Sequence, residues 1–332
     1  MPTSYRDLLG QVKPAFARQV SARLDAVERR LVEQARGGNP FVTEVSRHVI
    51  DAGGKRFRPL LVTLAAGLAP EAADPDRVER AALVVELTHV ASLYHDDVMD
   101  EAELRRGAAS ANARWGNSVA ILVGDLLFAR ASSLVATLGL EFVALQASTF
   151  ARLVQGQVAE TVGPAAGEDP LEHYLAVVAD KTGSLIATSA VFGGMVAGLG
   201  QEELAALDRY GEEIGAVFQL SDDLIDIASD TSGKTPGTDL RAGVPTLPTL
   251  YARRSTDPAD SRLLALLAGD LGDDADLAEA LRLLRAHPAM DEARAEIRRR
   301  AELARGYLAP LPEGQAKESL SALCDVVIDR SA

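Results

Sequence analysis

Hydrophobic residues recur every three or four positions along most of the chain, a spacing that predicts amphipathic helices. The run from Leu8 to Leu31 is an example, and no stretch alternates convincingly between polar and apolar residues as a strand would. Glycine, proline and small polar residues interrupt the pattern at residues 37–40, 70–75, 163–170, 233–243 and 269–274. None of these interruptions is long enough to be a flexible interdomain linker. The pattern therefore predicts an all-α protein with a single domain over residues 1–332.

The composition agrees with this prediction, because alanine and leucine dominate and only 5% of the 332 residues are aromatic. A chain of this length can bury most of its apolar surface without disulfides. Its single cysteine, Cys324, cannot form an internal disulfide, so we expect a buried thiol in a reducing compartment, the cytoplasm. The N-terminal segment lacks the apolar core of a signal peptide, and no segment has the uncharged length that spans a bilayer.

The net charge of the chain excludes some classes of binding partner. With 34 Lys and Arg against 48 Asp and Glu, the net charge is −14. This balance argues against a broad nucleic-acid surface and against adhesion to anionic lipid by charge alone. Any phosphate group must therefore bind in a local cationic pocket.

The same acidic pattern, Asp-Asp-x-x-Asp, occurs near the ends of two predicted helices. Its residues are Asp96, Asp97, Asp100, Asp222, Asp223 and Asp226. Positions three and four apart share a helix face, so each motif directs its carboxylates to one side. One such motif is typical of a solvated helix face, but here both follow apolar stretches and so emerge from buried helices. Because crowded carboxylates repel unless a cation neutralises them, the motifs predict bound Mg²⁺, which also bridges to phosphate oxygens.

Cations stand beside glycines and acidic motifs, although the chain as a whole is acidic. The run GGKRFRP at residues 53–59 places three cations on a glycine-initiated turn that enters a helix, a favourable setting for an anion. Arg105 and Arg106 follow the first acidic motif, and Lys181 and Lys234 add two more cations. These positions predict two diphosphates, one held through metal and one held directly.

Together these motifs give the chain its resemblance to a known family. GGKRFRP, ELTHVASLYHDDVMDEAELRRG, GDLLFARA, KTGSLI, FQLSDDLID and GKTPGTDLRAGVPTLP occur in one order over nearly the whole chain. In this order and spacing they resemble the trans-isoprenyl diphosphate synthases. The resemblance implies a helical bundle around a central cavity, a homodimer, and condensation of isopentenyl diphosphate with an allylic diphosphate. The chain departs from the family pattern at Val244-Pro245, where many members carry a lysine.

Site roles follow from the resemblance by matching position. The six aspartates would hold a cluster of about three Mg²⁺ ions, or Mn²⁺ in their place. The residues implied to bind the allylic diphosphate are Arg105, Lys181, Thr182, Gln219 and Lys234. Those implied to bind isopentenyl diphosphate are Lys55, Arg56, His89 and Arg106. The implied reaction ionises the allylic C–O bond, lets the isopentenyl double bond attack the cation, and loses a proton, without a side-chain nucleophile.

Product length depends on the residues N-terminal to the first motif. With the diphosphate anchored at Asp96, its hydrocarbon tail would run back along the helix past Ser92 and Ala91, about one to one and a half turns away. Both side chains are small and leave that path open. We therefore expect a medium- or long-chain all-trans product, with the floor of the tunnel formed deeper by Phe142 or Phe150.

Other interpretations are weaker. Glu86 and His89 have the Glu-x-x-His spacing of di-iron bundles, but a second copy is missing. Residues 232–235 resemble the end of a P-loop, yet a helix precedes them and the first glycine is absent. A geranylgeranyl diphosphate synthase, a class I terpene cyclase and a non-catalytic subunit of a heteromeric synthase stay as alternatives. The last two would not be expected to keep the turn at residues 53–58 together with both acidic motifs.

Overall fold

The computed structural model describes residues 13–69, 71, 73–228 and 236–329, which are largely helical. Its α-helices are α1 (Pro14–Gln34), α2 (Pro40–Asp51), α3 (Phe57–Ala66), α4 (Pro75–Met99), α5 (Ala111–Trp115), α6 (Asn117–Val135), α7 (Leu140–Val162), α8 (Pro170–Val177), α9 (Ser184–Ala197), α10 (Gln201–Ala228), α11 (Thr238–Arg241), α12 (Leu247–Ala252), α13 (Ser261–Ala268), α14 (Asp274–Arg285), α15 (Ala289–Tyr307) and α16 (Gln315–Asp329). A π-helix, Val178–Gly183, joins α8 to α9, and a 3₁₀ turn, Pro258–Asp260, precedes α13. The all-α prediction is confirmed.

One small element was not predicted. Between α4 and α5 the chain forms an antiparallel hairpin of two short strands, β1 (Leu104–Arg105) and β2 (Ala108–Ala109), which are the only strands in the described ranges. The part of the N-terminal helix that was predicted to begin at Leu8 lies outside the described residues.

Helix α4 carries the first acidic motif at its C-terminal end. Pro75 occupies its first position, and the side chain of the N-cap residue Asp74 accepts a hydrogen bond from the backbone N–H of Asp76 at 3.0 Å. Every residue from Ala81 to Thr88 is buried, because α1, α3, α6 and α9 surround this part of the helix. The carboxylates of the motif therefore emerge directly from the hydrophobic core.

The buried hydrophobic residues form two clusters, which α9 joins. Ile186 and Ala190 pack in one cluster with α3, α10 and the C-terminal helices, whereas Leu185 and Phe192 pack in the other with α1, α2, α4 and α6. Every residue of α9 from Ser184 to Gly194 is buried. Since α9 packs against both α4 and α10, it holds the two helices with acidic motifs on either side of it.

Two helical stretches among the described residues, Asn117–Val135 and Pro170–Ala197, are long and apolar enough to cross a membrane by length and composition. Both contain charged residues, Asp125 and Asp180 among them, so neither is an uncharged span. The apolar window of the second stretch is 67% buried, as in a core helix, whereas that of the first is 33% buried. Helix α6 thus presents an apolar face that the described part of the chain does not cover.

Candidate active site

The first acidic motif lies at the junction of α4 and the hairpin. Asp96 and Asp97 belong to the last turn of α4, and Asp100 is its C-cap. The side chain of Asp97 is fully buried, and its Oδ1 accepts a hydrogen bond from Arg105 Nε at 2.6 Å. Arg105 Nη2 lies 2.5 Å from the same oxygen. The hairpin therefore folds Arg105 back onto the acidic motif, as the short connection after Asp100 suggests.

The second acidic motif lies near the C-terminal end of α10. Asp223 is buried and accepts hydrogen bonds from the backbone N–H of Leu247 at 3.1 Å and from the hydroxyl of Tyr174. Asp226 accepts hydrogen bonds from the backbone N–H groups of Thr238 at 3.3 Å and Asp239 at 3.1 Å. The second motif is thus fixed to α8, α11 and α12 by direct hydrogen bonds.

Contacts through the π-helix connect the two motifs. Burial raises the pKa of Asp96 to about 6, and the nearby positive charge of Lys181 acts against this increase. Thr182, the next residue, donates a hydrogen bond to Gln219 Oε1 at 3.3 Å, and Gln219 Nε2 donates to Asp223 Oδ1 at 3.2 Å. These contacts lead from α4 across the π-helix to α10, so both acidic motifs border one region.

Glycines allow the π-helix to lie between α7 and α10. A Cβ atom at Gly156 of α7 would be 2.6 Å from the backbone nitrogen of Lys181, and one at Gly215 of α10 would be 2.7 Å from the Cα atom of Gly183. Only glycine permits backbones to approach this closely. Short π-helical segments occur frequently at functional sites, and this one presents Lys181 and Thr182 toward the acidic motifs.

The acidic residues fit a hard divalent cation. Asp97 Oδ2 is buried and has no hydrogen-bond partner among the described residues. Burial also raises the pKa of Asp97 and raises the pKa of Asp223 to about 7, because neither carboxylate receives enough positive charge to offset its desolvation. Within the described ranges, no three His, Cys, Asp or Glu side chains are close enough to hold a metal ion. Diphosphate oxygens would complete the coordination that such separate carboxylates begin.

The charges of four arginines act on His89, which lies on the same face of α4 as Asp96 and about two turns before it. Burial lowers the pKa of His89 well below its usual value, and the charges of Arg58, Arg106, Arg105 and Arg56 lower it further. His89 is therefore neutral near pH 7 and can donate one N–H to an anion. A metal-free diphosphate site at these residues stays a prediction.

The turn that contains the GGKRFRP run connects this predicted site to α10. Lys55 Nζ lies 5.8 Å from the ring centroid of Phe218, and Phe57 stacks on the same ring with centroids 5.1 Å apart. Phe218 directly precedes Gln219, which contacts Asp223. These ring contacts place the cationic turn beside Phe218, next to the residue that contacts the second acidic motif.

Among the residues predicted to bind isopentenyl diphosphate, Arg56 and Arg106 both contact protein groups. Arg56 forms salt bridges with Glu28 at 2.6 Å and with Glu86 at 3.1 Å. Arg106 Nη1 donates hydrogen bonds to the backbone carbonyls of Val49 at 2.9 Å and of Gly53. Substrate binding by these two arginines stays a prediction.

The two residues predicted to control product length lie in the core. Ala91 is fully buried, and Ser92 donates a hydrogen bond to the backbone carbonyl of His89 at 2.9 Å. One turn closer to the start of α4, Thr88 Oγ1 accepts a hydrogen bond from Gln146 Nε2 of α7 at 3.3 Å. If the hydrocarbon tail runs back along α4 as predicted, it would pass this polar pair. The predicted floor residues pack against other rings, Phe142 on Phe192 and Phe150 on Phe128.

Sequence reasoning missed several residues that the fold brings to the site. Arg58 is one of the three cations noted in the run with Lys55, but no binding role was assigned to it, although its position in the first turn of α3 could have suggested one. Tyr174 and Glu160 gave no such signal: Tyr174 binds Asp223, and Glu160 forms an ion pair with Lys181, only because separate helices meet. Lys234 lies outside the described residues.

Known proteins resemble this chain over most of its length. The family model described as Polyprenyl synthetase matches residues 39–284. A nonaprenyl diphosphate synthase of Mycobacterium tuberculosis is 49% identical over 95% of this chain and 94% of its own length.

Two solved structures are similar as well. The geranylgeranyl pyrophosphate synthase of Corynebacterium glutamicum, complexed with calcium and isoprenyl diphosphate, has a TM-score of 0.87 at 43% identity, covering 96% of this chain and 98% of that one.

The second structure, a decaprenyl diphosphate synthase of Rhodobacter capsulatus, has a TM-score of 0.86 at 32% identity and covers 96% of this chain and 99% of that one. These similarities extend across all the motifs quoted from the sequence and across the whole helical bundle. The chain therefore belongs to the polyprenyl synthetase family.

Proposed function

We propose that the protein condenses isopentenyl diphosphate with an allylic diphosphate such as geranyl, farnesyl or geranylgeranyl diphosphate, and releases a medium- or long-chain all-trans polyprenyl diphosphate. One observation carries this proposal: Lys181, Thr182 and Gln219 connect the two acidic motifs, and the cationic turn contacts the ring of Phe218 next to Gln219. The names of the similar nonaprenyl and decaprenyl diphosphate synthases support the longer product. A geranylgeranyl diphosphate synthase is the nearest alternative, since one similar structure carries that name.

The six aspartates of the two motifs would hold Mg²⁺, about three ions per active site or Mn²⁺ in their place. The buried, unpaired Oδ2 of Asp97 supports this role, as does the calcium in the similar Corynebacterium glutamicum structure. When bound, the metal supplies positive charge to the departing diphosphate. Arg105 and Lys181 border the same region and add charge to that diphosphate, as Lys234 would.

The bond changes take place within the two substrates, and the residues of the chain stabilise the charges that develop. The allylic C–O bond breaks with its electron pair leaving on the diphosphate, and the electron pair of the isopentenyl double bond forms the new C–C bond. A proton then leaves the isopentenyl C2 carbon for the released diphosphate. The oxygen dipoles of Thr182 and Gln219 would lie beside the developing cation and stabilise its charge. Catalysis is charge stabilisation and orientation of two substrates.

The cations of the glycine-rich turn and of the hairpin turn would bind isopentenyl diphosphate directly. Lys55 and Arg106 were predicted from the motifs, and Arg58 joins them because its charge acts on His89. His89, being neutral, would donate a single hydrogen bond. This pocket needs no metal, and its guanidinium groups match the geometry of phosphate oxygens.

The exposed apolar face of α6 and α7 would bind a second copy of this chain. Large apolar side chains are exposed there at Ile121, Leu122, Val154, Val158 and Val162. Exposed apolar side chains on two helices that contact each other favour an interaction surface, and the family resemblance favours a homodimer. The fully buried Cys324, whose pKa burial raises to about 12, agrees with a cytoplasmic protein that needs no disulfide.

Product sizing tests the reaction and the chain length together. Purified protein incubated with farnesyl diphosphate, labelled isopentenyl diphosphate and Mg²⁺ should yield a polyprenyl diphosphate longer than the C20 product. Omission of Mg²⁺, or the Asp97→Asn and Asp223→Asn changes, should abolish this product. If the wild-type protein forms no metal-dependent prenyl product, the non-catalytic subunit becomes the better interpretation; a C20 product alone would favour geranylgeranyl diphosphate synthesis.

A further inference from the structure

Arg56 is bound by two acidic residues from two other helices. Its Nε and Nη2 atoms donate to both carboxylate oxygens of Glu28, on α1, at 2.6 and 2.8 Å. Its Nη1 atom donates to Glu86 Oε1, on α4, at 3.1 Å. The side chains of Arg56 and Glu86 are only 11% and 3% exposed. This is a bidentate pair with a third, buried bond, the strong form of an arginine–carboxylate interaction.

The same guanidinium group also binds the backbone of the turn in front of it. Arg56 donates to the carbonyls of Gly53 at 3.4 Å and Ile50 at 3.2 Å, and Arg106 donates to the Gly53 carbonyl as well. A Cβ atom at Gly54 would lie 2.6 Å from Arg56 Nη1 and 3.0 Å from Arg106 Nη1. Arg56 itself has a left-handed backbone, with φ of 52°. Two guanidinium groups therefore enclose this turn closely.

The charge of Arg56 is compensated inside the protein. Burial by itself lowers the pKa of this guanidinium, but its hydrogen bonds to Glu28 and the charge of Glu86 reverse the effect and raise the pKa. Two carboxylates thus face one guanidinium. A diphosphate that bound Arg56 would have to displace them and leave Glu86 buried without its partner, which is costly.

We propose that Arg56 is a positioning residue that does not touch isopentenyl diphosphate, and that Glu28 and Glu86 act through it to hold the turn that presents Lys55 and Arg58. This inference rests on the proposed function. It gives Glu86 a role that its Glu-x-x-His spacing does not explain, and it separates Arg56 from the neighbouring cations of the same run.

The direction in which the KM for isopentenyl diphosphate changes, when Glu28 or Glu86 loses its charge, separates positioning from direct binding. If Arg56 bound the diphosphate, Glu28 and Glu86 would compete with the substrate, and removing either charge would lower the KM for isopentenyl diphosphate. If Arg56 holds the turn, removing either charge loosens Lys55 and Arg58 and raises that KM. The allylic site lies about two turns farther along α4, at the acidic motifs, so the KM for the allylic substrate should stay close to that of the wild type in both cases.

The experiment is steady-state kinetics of the full-length enzyme carrying Glu86→Gln or Glu28→Gln. We expect the KM for isopentenyl diphosphate to rise about tenfold for Glu86→Gln, and less for Glu28→Gln, whose side chain is 43% exposed. The matched control is Glu79→Gln, which removes an ion pair with Arg30 between the same two helices, α1 and α4, at 2.8 Å. The control should leave both KM values unchanged.

A double variant tests whether the residues act as a unit. Arg56→Gln combined with Glu86→Gln should raise the KM for isopentenyl diphosphate no further than Arg56→Gln alone, because the second change acts through the first. The double variant should also unfold at a higher temperature than Arg56→Gln, which leaves Glu86 buried and unpaired. If Glu86→Gln does not fold, Glu28→Gln and the double variant carry the test.

The outcomes are distinct. An unchanged or lowered KM for isopentenyl diphosphate in both single Glu variants overturns the positioning role while the proposed function stands. Additive effects in the double variant overturn it as well. A wild-type enzyme that forms no prenyl product refutes the proposed function instead.

Discussion

The position of the π-helix depends on the absence of a single methyl group. Arg152, one turn before Gly156 on α7, forms ion pairs with Asp180 of the π-helix at 2.9 Å and with Glu212 of α10 at 2.5 Å. These pairs resist any movement of the π-helix away from α7. The close approach at Gly156 leaves no space for a side chain beside the backbone of Lys181. Substitution of Gly156 by alanine should therefore displace the residues that line the allylic site.

The size of the effect of Gly156→Ala can be worked out from the close contact at this position. The new Cβ atom would lie 2.6 Å from the Lys181 nitrogen, which must retreat by about 0.8 Å to reach 3.4 Å, where ordinary contacts begin. Overpacking of this kind costs about 1–3 kcal/mol of stability. A misplacement of about 1 Å in substrate-positioning groups can cost on the order of a hundredfold in rate. We expect Gly156→Ala to lower kcat/KM for the allylic diphosphate by about ten- to a hundredfold and to lower the Tm.

The assay varies each substrate in turn while the other is saturating. The KM for isopentenyl diphosphate should change less, because its pocket belongs to the turn before α3 and not to the π-helix. Gly306→Ala is the matched control: a Cβ at Gly306 of α15 meets nothing within 4 Å, so the added methyl should stabilise the helix by about 0.5–1 kcal/mol and leave the kinetics unchanged. A Gly156→Ala enzyme with wild-type kcat/KM and Tm would refute this reasoning.

Three further predictions concern product length, assembly and the thiol. Ala91→Phe adds a large ring at a fully buried position of α4, on the predicted course of the growing chain, and should shorten the product on a chromatogram, whereas an unchanged product would mean that the tunnel runs elsewhere. Leu122→Glu places a charge on the exposed face of α6 and should convert a dimer to a monomer in light scattering, with the helical circular dichroism retained; a persistent dimer would exclude this face. Burial raises the pKa of Cys324 to about 12, so the thiolate is scarce at pH 8 and a disulfide reagent should label it only after unfolding; rapid labelling of the native protein would contradict this burial.

Several features of the site could be predicted from the sequence because the signals are local. The spacing within each acidic motif places the carboxylates on one helix face whatever the rest of the chain does. The apolar residues before both motifs indicate that the carboxylates leave a hydrophobic core, and Asp97 and Asp223 are indeed buried. The short connection after Asp100 brings Arg105 back to Asp97 for the same local reason.

Other features depend on helices that are distant in sequence. In the sequence motif, Arg56 is predicted to bind substrate. In the structure, it forms salt bridges with Glu28 of α1 and Glu86 of α4. Tyr174 precedes Asp223 by 49 positions and binds it because α8 ends beside α10. No periodicity or composition predicts such a pair, since each partner looks like an ordinary helix residue.

The sequence by itself determined the helical class, the two acidic helix ends, the glycine-rich cationic turn and the buried thiol, because helix periodicity, spacing and charge are properties of neighbouring residues. The tertiary structure alone decided which charges meet. It placed the π-helix between Gly156 and Gly215, joined the two acidic motifs through Thr182 and Gln219, and gave Arg56 two internal carboxylates. The physical reason is that electrostatic compensation and close packing depend on distances in space, which residue order does not contain.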